Sequence, residues 1–286
     1  MGTLTPPVTP KGLTSLVEDR YRDGQSSNFI FNHPIPPALS TILEHRSIRS
    51  FLSTPLPPGT LQTLIAAGQS ASTFSMLQTW SVVAIQDPQH KGAVARISGN
   101  QDLIRQAPLF LIFCADLHRL AYMIDKYKTA GKPLEKIDML LAGVVDASIA
   151  AQNVAIAAEA LGLGICMVGG VRNNAEELVE LLHLPERTFG VVGMAVGYAD
   201  PVMHEDIKPR LPMSEVLHDE IWDSSQQRQD ENVAVFDKVL SKHHNMHLKV
   251  GRKPWSRFAA DWKADGRLDG RDRMRGLLER QGFGLD

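Results

Sequence analysis

Three short segments concentrate residue types that bind anions or let a flat ligand reach the backbone. The first is His45-Arg46-Ser47-Ile48-Arg49. Two guanidinium groups, an imidazole and a hydroxyl crowd five residues. A guanidinium grips phosphate through paired, charge-assisted hydrogen bonds, and a hydroxyl adds a neutral donor. That set suits a phosphorylated ligand. It equally describes a solvated basic helix end, where arginine complements the helix dipole. The second is Gly162-Leu163-Gly164 followed by Val168-Gly169-Gly170-Val171-Arg172-Asn173-Asn174. A glycine pair after a strand lets the backbone approach a flat ring and donate an N–H to it. A tight strand-to-helix turn needs the same residues. The third is Lys208-Pro209-Arg210-Leu211-Pro212. Proline fixes the backbone between two cations, so both can address one anion. A solvated loop is the alternative.

The elements that must position these segments follow from periodicity and punctuation. Residues 38–51 read as a helix that turns into a loop, and Thr60 is placed to cap a helix over 61–68. The run Trp80-Ser81-Val82-Val83-Ala84-Ile85 reads as a strand ended by Asp87-Pro88, with a helix over 90–97 after it. Residues 109–114 are continuously apolar, as in a central strand buried on both faces. A long helix over 137–161 is apolar on nearly every face and should be the core helix; Gly162 and Gly164 end it. A strand at 165–168 follows, then a helix opened by Asn174, Glu176 and Glu177, then a strand over 189–196. Residues 1–40 are a proline-rich extension, with a short helix over 13–21, lying on the surface or across a partner subunit. Residues 41–222 form the core. Residues 223–286 are a polar, mostly helical excursion of the same folded unit. No GxGxxG follows the first strand, which disfavours a dinucleotide-binding βαβ fold. The pattern predicts an α+β layered fold with helices packed on a mixed sheet.

Bulk properties narrow the function. With 43% hydrophobic and 22% charged residues, 286 residues can fill a sizeable core, which excludes wholesale disorder. A net charge of -2 provides no global basic field for nucleic acid or an anionic membrane. Cys114 and Cys166 sit in apolar runs and read as small buried hydrophobes. Nothing has zinc spacing, so no metal is expected. Low cysteine use fits a reducing cytoplasm. The charge-free part of the long helix, residues 147–158, is too short to span a bilayer, so no membrane role is expected.

Several motifs agree in order and spacing. HRSIRSF, STFSMLQTWSVV, SGNQ, LLAGVVDASIAAQNVAIAAEALGLG, VGGVRNN, LPER and IKPRLP occur in succession over roughly residues 40–222. In this the chain resembles the NADPH-dependent nitroreductases and flavin reductases of the nitroreductase superfamily. A weaker echo continues through Pro254-Trp255-Ser256 and the C-terminal LLERQG.

The resemblance implies a three-layer fold with helices on both sides of the sheet, in an intertwined homodimer with one FMN per subunit. By matching position, His45, Arg46 and Ser47 would wrap the FMN phosphate and ribityl chain, with Arg49 near the pyrimidine. Thr73, Phe74 and Ser75 correspond to a serine-rich flavin segment from the second subunit. Gln101 matches a flavin-contacting glutamine. Val168, Gly169 and Gly170 match the backbone beside flavin N5, and Lys208 and Arg210 the phosphate-side cations. NAD(P)H would pass a hydride to the flavin. A small planar acceptor (a nitroaromatic, quinone or free flavin) would then take two electrons on the same face, in a ping-pong cycle. No catalytic side chain is required. Arg172 and Arg271 would line the mouth, while Lys249, Arg252 and Lys253 would read the 2′-phosphate of NADPH. Phe74 and Met167 depart from the family's serine and tyrosine and bear on substrate range. Rival readings are a specialised biosynthetic flavin oxidase or dehydrogenase, and a non-catalytic flavin-binding sensor.

Overall fold

The computed structural model describes residues 12–24, 35–203, 205–246, 252–262 and 268–286. In chain order the helices begin with α1 (Leu13–Tyr21), α2 (Pro37–Leu43), α3 (Thr60–Gln69), α4 (Pro88–Ile97) and α5 (Asp102–Gln106). Then come α6 (His118–Tyr127), α7 (Ile137–Ala160), α8 (Ala175–Leu182) and α9 (Met213–Val216). The last are α10 (Gln226–Met246), α11 (Trp255–Asp261) and α12 (Met274–Arg280). The strands are β1 (Trp80–Ile85), β2 (Leu109–Asp116), β3 (Gly164–Val168) and β4 (Thr188–Gly197). Two units form. A sheet unit comprises the described residues of Ser47–Glu205 and Arg267–Asp286; a helical unit comprises those of Met1–Arg46 and Asp206–Gly266.

In the sheet unit all eight residues of β2 are buried, as its apolar run predicts. Its side chains alternate between two cores. Leu109, Leu111, Phe113 and Ala115 join α3 and α7, whereas Phe110, Ile112 and Cys114 join residues of α4, α5 and α8. Three layers result, because a strand sends successive side chains to opposite faces. The strand order is β1-β2-β4-β3, and every strand pair is antiparallel. The expected mixed sheet is thus corrected. Among the described residues the parallel pairing is the single bridge between Ser47 and Ile165. Between β2 and β4 the register shifts at Phe113/Cys114, which pair with Val192 and Gly190 and leave Val191 as an extra residue. Such a bulge re-aims groups beside it.

Helix α7 packs on the sheet through small residues. A Cβ on Gly143 would lie 3.0 Å from the Ala115 Cβ and 3.3 Å from the Thr79 carbonyl oxygen. The opposite face carries Ile137, Leu141, Val145 and Ile149, four residues apart and exposed. By length and composition α7 is apolar enough to cross a membrane. It is the core helix of the sheet unit instead, with a buried carboxylate, Asp146, near its middle.

Two local expectations change. Helix α2 stops at Leu43, because Ser47 and Phe51 are drawn into bridges with Ile165 and Ala199. The N-cap of α3 is Gly59, in the left-handed region at φ 86°, and Thr60 is already helical. In the helical unit, α1 forms over the expected residues and buries Leu16, Val17 and Arg20 on one face. The Phe236 ring of α10 meets Trp255 of α11 edge-on, with centroids 5.4 Å apart.

Candidate functional site

The glycine turn after β3 is built from both sides. Val168 is buried in the second core, so it can offer a ligand only its backbone. A Cβ on Gly170 would come within 2.5 Å of the Ser98 carbonyl oxygen and 2.6 Å of Gln101 Nε2. Packing alone therefore demands glycine there. Gln101 holds that contact in place by donating from Nε2 to the Ser98 oxygen at 2.8 Å. Gly169 differs: a Cβ would meet nothing closer than Arg172 Nη2 at 3.5 Å and Arg271 Nη2 at 3.9 Å. Gly169 is half-buried, has no side chain, and lies in van der Waals contact with two cations.

Those cations are anchored by carbonyls. Arg271 donates to the Gly169 oxygen at 3.2 Å and to Asn173 Oδ1 at 2.9 and 3.0 Å. Arg172 donates to the oxygen of Val191, the bulge residue of β4. Burial, and then the neighbouring Arg271 charge, lower the Arg172 pKa from the usual arginine value. Two guanidinium groups held side by side favour an anion. Beside them lies a cleft of about 500 Å3, lined by Val144, Ser148, Met167, Arg172, Phe189 and Val191 among others. Its wall is largely apolar with a cation at one edge, which suits a flat, partly anionic ring.

The basic pentapeptide is extended rather than helical from Ser47 onward. Ile48 N–H donates to the Ile165 oxygen at 2.8 Å, and the Ile48 side chain fills the space over Gly164, where a Cβ would be 2.6 Å from Ile48 Cγ1. Ser47 and Arg49 thus flank a buried residue, alongside the strand that leads into the glycine turn. Arg49 is exposed, with Nη1 donating to the Ser47 oxygen at 3.1 Å and Glu205 3.8 Å away. His45 and Arg46 belong to the helical unit, with Lys208 and Arg210.

Thr73, Phe74 and Ser75 sit in a turn of unusual backbone. Ser75, Met76 and Gln78 all have positive φ, at 46°, 62° and 51°. Non-glycine residues there cost about 1–2 kcal/mol each. Asp146 holds the turn. Its carboxylate accepts from Thr73 Oγ1 at 2.6 Å, Phe74 N at 2.8 Å, Thr79 N at 2.9 Å and Thr79 Oγ1 at 2.8 Å. Burial pushes its pKa up, and these four bonds more than reverse that, leaving it below the usual carboxylate value. Phe74 and Met76 are presented outward.

In the helical unit, Arg20 bonds the backbone of both basic stretches, His45 and Lys208. A cavity of about 550 Å3 brings Lys208 together with His243, His244, Arg252, Lys253, Trp255 and Phe258. Lys253 also pairs with Asp261 at 2.7 Å, which Arg257 shares at 2.9 Å. Lys249 lies outside the described residues.

Sequence reasoning missed Asp146 and Arg20 as organisers. Each left one signal, a charge on the apolar face of a helix: Asp146 inside an apolar run, Arg20 one turn after Leu16.

With this geometry in place, comparison decides the family. The nitroreductase family profile matches residues 42–198, and its C-terminal domain profile matches residues 208–286. The chain belongs to the nitroreductase family. It is 36% identical over 220 residues to the FMN reductase (NADPH) of Bacillus subtilis (strain 168), covering 76% of this chain and 88% of that protein. It is 36% identical over 206 residues to the NADPH-flavin oxidoreductase of Vibrio harveyi, covering 72% and 82%. Among solved structures, the hypothetical oxidoreductase YcnD from Bacillus subtilis matches with a TM-score of 0.83 and 33% identity, over 88% of this chain and all of that one. The NADPH:FMN oxidoreductase from Vibrio harveyi complexed with NAD+ matches at 0.77 and 32% identity, over 88% and 100%. These nitroreductase structures bear out the α+β nitroreductase fold.

The Asp146 assembly carries a test. A carboxylate whose folded pKa is depressed stabilises the fold fully above its unfolded pKa and loses that contribution as pH falls through the folded value. Asp146→Asn keeps one acceptor oxygen and should cost about 1.5–3 kcal/mol at neutral pH. The gap in denaturant midpoint between parent and variant should narrow as pH drops below about 4. An equal gap at both pH values would refute a charged Asp146.

Proposed function

We propose that this protein is an FMN-dependent NAD(P)H oxidoreductase that reduces planar acceptors (nitroaromatics, quinones or free flavin) in two-electron steps. The observation that carries the reading is the glycine turn at Gly169 and Gly170 flanked by the Arg172 and Arg271 guanidinium groups, in a chain whose relatives are flavin reductases. The donor set fits FMN. A flat ring needs backbone with no side chain in front of it, which the glycine pair provides, and a phosphate needs cations, which both basic stretches supply.

Bound FMN supplies hydride chemistry that no side chain offers. The protein supplies position and charge. His45, Arg46, Ser47, Lys208 and Arg210 hold the phosphate and ribityl end. Arg49 brings positive charge to the pyrimidine, where it favours added negative charge. Val168, Gly169 and Gly170 give backbone contacts to the ring, and Gln101 keeps the turn shaped for it. Arg172 and Arg271 orient an acceptor with an anionic edge. Arg252, Lys253 and Lys249 read the 2′-phosphate of NADPH. Phe74 and Met167 are exposed, and we assign them to acceptor selection. Cys114 and Cys166 are free and buried, in keeping with the reducing cytoplasm where we place the protein.

The exposed stripe Ile137, Leu141, Val145 and Ile149 supports a homodimer through α7, in which each subunit lends Thr73, Phe74 and Ser75 to the other's flavin. Four apolar side chains in one row are costly to leave in water. Sedimentation at micromolar concentration should give a dimer, and Leu141→Lys/Val145→Lys a monomer with lowered FMN occupancy. A parent monomer with full occupancy would contradict this arrangement.

Steady-state kinetics test the activity. With NADPH and a quinone varied together, double-reciprocal lines should be parallel, because donor and acceptor use one face in turn. The kcat/KM ratio of NADPH over NADH should exceed one, and Arg252→Ala/Lys253→Ala should reduce it. Intersecting lines would reject the shared face. An unchanged ratio would show that these cations do not read the 2′-phosphate.

A further inference from the structure

Helix α1 lies outside the segments matched by the nitroreductase profiles, yet it buries an arginine. The Arg20 side chain leaves α1 on the face of Leu16 and Val17. Its Nη2 donates to the Leu43 oxygen at 2.7 Å and the His45 oxygen at 3.0 Å, and its Nη1 reaches the Lys208 oxygen at 3.4 Å. The Arg210 N–H donates in return to the Arg20 oxygen at 3.0 Å. Two residues on, Arg22 Nη2 donates to Asp206 Oδ2 at 2.7 Å and to the Ile207 oxygen at 3.1 Å. Leu43 is the last residue of α2; the Glu44 N–H serves the Ser40 and Ile42 oxygens there, and the Leu43 oxygen takes the Arg20 guanidinium. One side chain thus helps to close that helix end and ties it to a segment far away in sequence. Only a planar fork with five N–H donors spans three carbonyls in this way; an ammonium is a single point.

The two stretches so joined carry His45 and Arg46 on one side, Lys208 and Arg210 on the other. We propose that Arg20 is a positioning residue for the cofactor phosphate: it holds these two pairs of cations in register through their backbones, which makes α1 a working part of the flavin site. The inference rests on the assignment of those cations to the FMN phosphate. Arg20 acts through carbonyls and amides and needs no contact with the ligand. Without it, the phosphate would have to order both stretches on binding, and that ordering would be subtracted from affinity.

The test compares FMN with riboflavin, which is the same flavin without its phosphate, by fluorescence titration of the full chain stripped of flavin. Lys208→Ala and Arg210→Ala come first. Each should weaken FMN and spare riboflavin. If neither does, the phosphate assignment itself fails, and the proposal with it. If they do, Arg20→Met and Arg20→Lys decide the matter. Both should bind FMN roughly tenfold or more weakly, the size expected for losing a charge-assisted contact. Riboflavin affinity should stay within about twofold of the parent, well short of a tenfold step. FMN binding like the parent's, or equal losses for both flavins, would overturn the proposal, the second outcome marking a general structural role. Should Arg20→Met fail to fold, Arg20→Lys alone decides, because it keeps the charge and the stem and removes only the fork.

Discussion

The close seating of α7 on the antiparallel sheet is the constraint on which the sheet unit depends. Gly143 faces Ala115 of β2, Ala147, Ala151, Ala155 and Ala158 are buried in the core that β2 shares, and a side chain at Gly143 would push the helix off β2. That closeness buries Asp146 as well. A buried carboxylate is tolerable only when donors surround it, and the donors come from the turn at residues 73–79. The same packing that makes the core therefore fixes a strained turn at its edge. It also leaves the far face of α7 apolar and uncovered in a single chain.

The candidate site relies more on backbone than on reactive side chains. Gly170 is glycine because Ser98 and Gln101 leave no room, whereas a Cβ at Gly169 would meet only the arginine side chains at ordinary contact distance. The bulge in β4 gives Arg172 a carbonyl to hold, and Gly169 gives Arg271 another. Cations fixed by neutral carbonyls keep their charge uncompensated toward an incoming ligand. That is the arrangement expected where a cofactor does the chemistry and the protein provides electrostatics. In the helical unit, too, an arginine ties down backbone: Arg20 bonds the carbonyls of Leu43, His45 and Lys208.

Much of this was legible in the residues. The apolar run of β2, the period of α7, the glycine pair after β3 and the short helix α1 can all be read locally, because each depends on nearest neighbours and on burial of a face. The resemblance placed the motifs on one fold. Long-range facts were not legible. Strand order decides whether a sheet is mixed, and no local pattern encodes it. The end of α2 is set by bridges from Ser47 and Phe51 to residues more than a hundred positions away. Helix α6 passed unread: its polar and apolar residues alternate at helical spacing, but none of them is buried. Arg20 and Asp146 carry charges whose partners lie far off in sequence, so only the fold reveals what they hold.

The central claim is that a flavin held by these cations and this glycine turn passes electrons from NAD(P)H to an acceptor. The most direct measurement is the visible spectrum of the purified full chain under anaerobic conditions. The account predicts flavin absorbance that bleaches on adding NADPH and returns on adding a quinone. A protein that stays colourless after incubation with FMN, or a bound flavin that NADPH does not bleach, would contradict it.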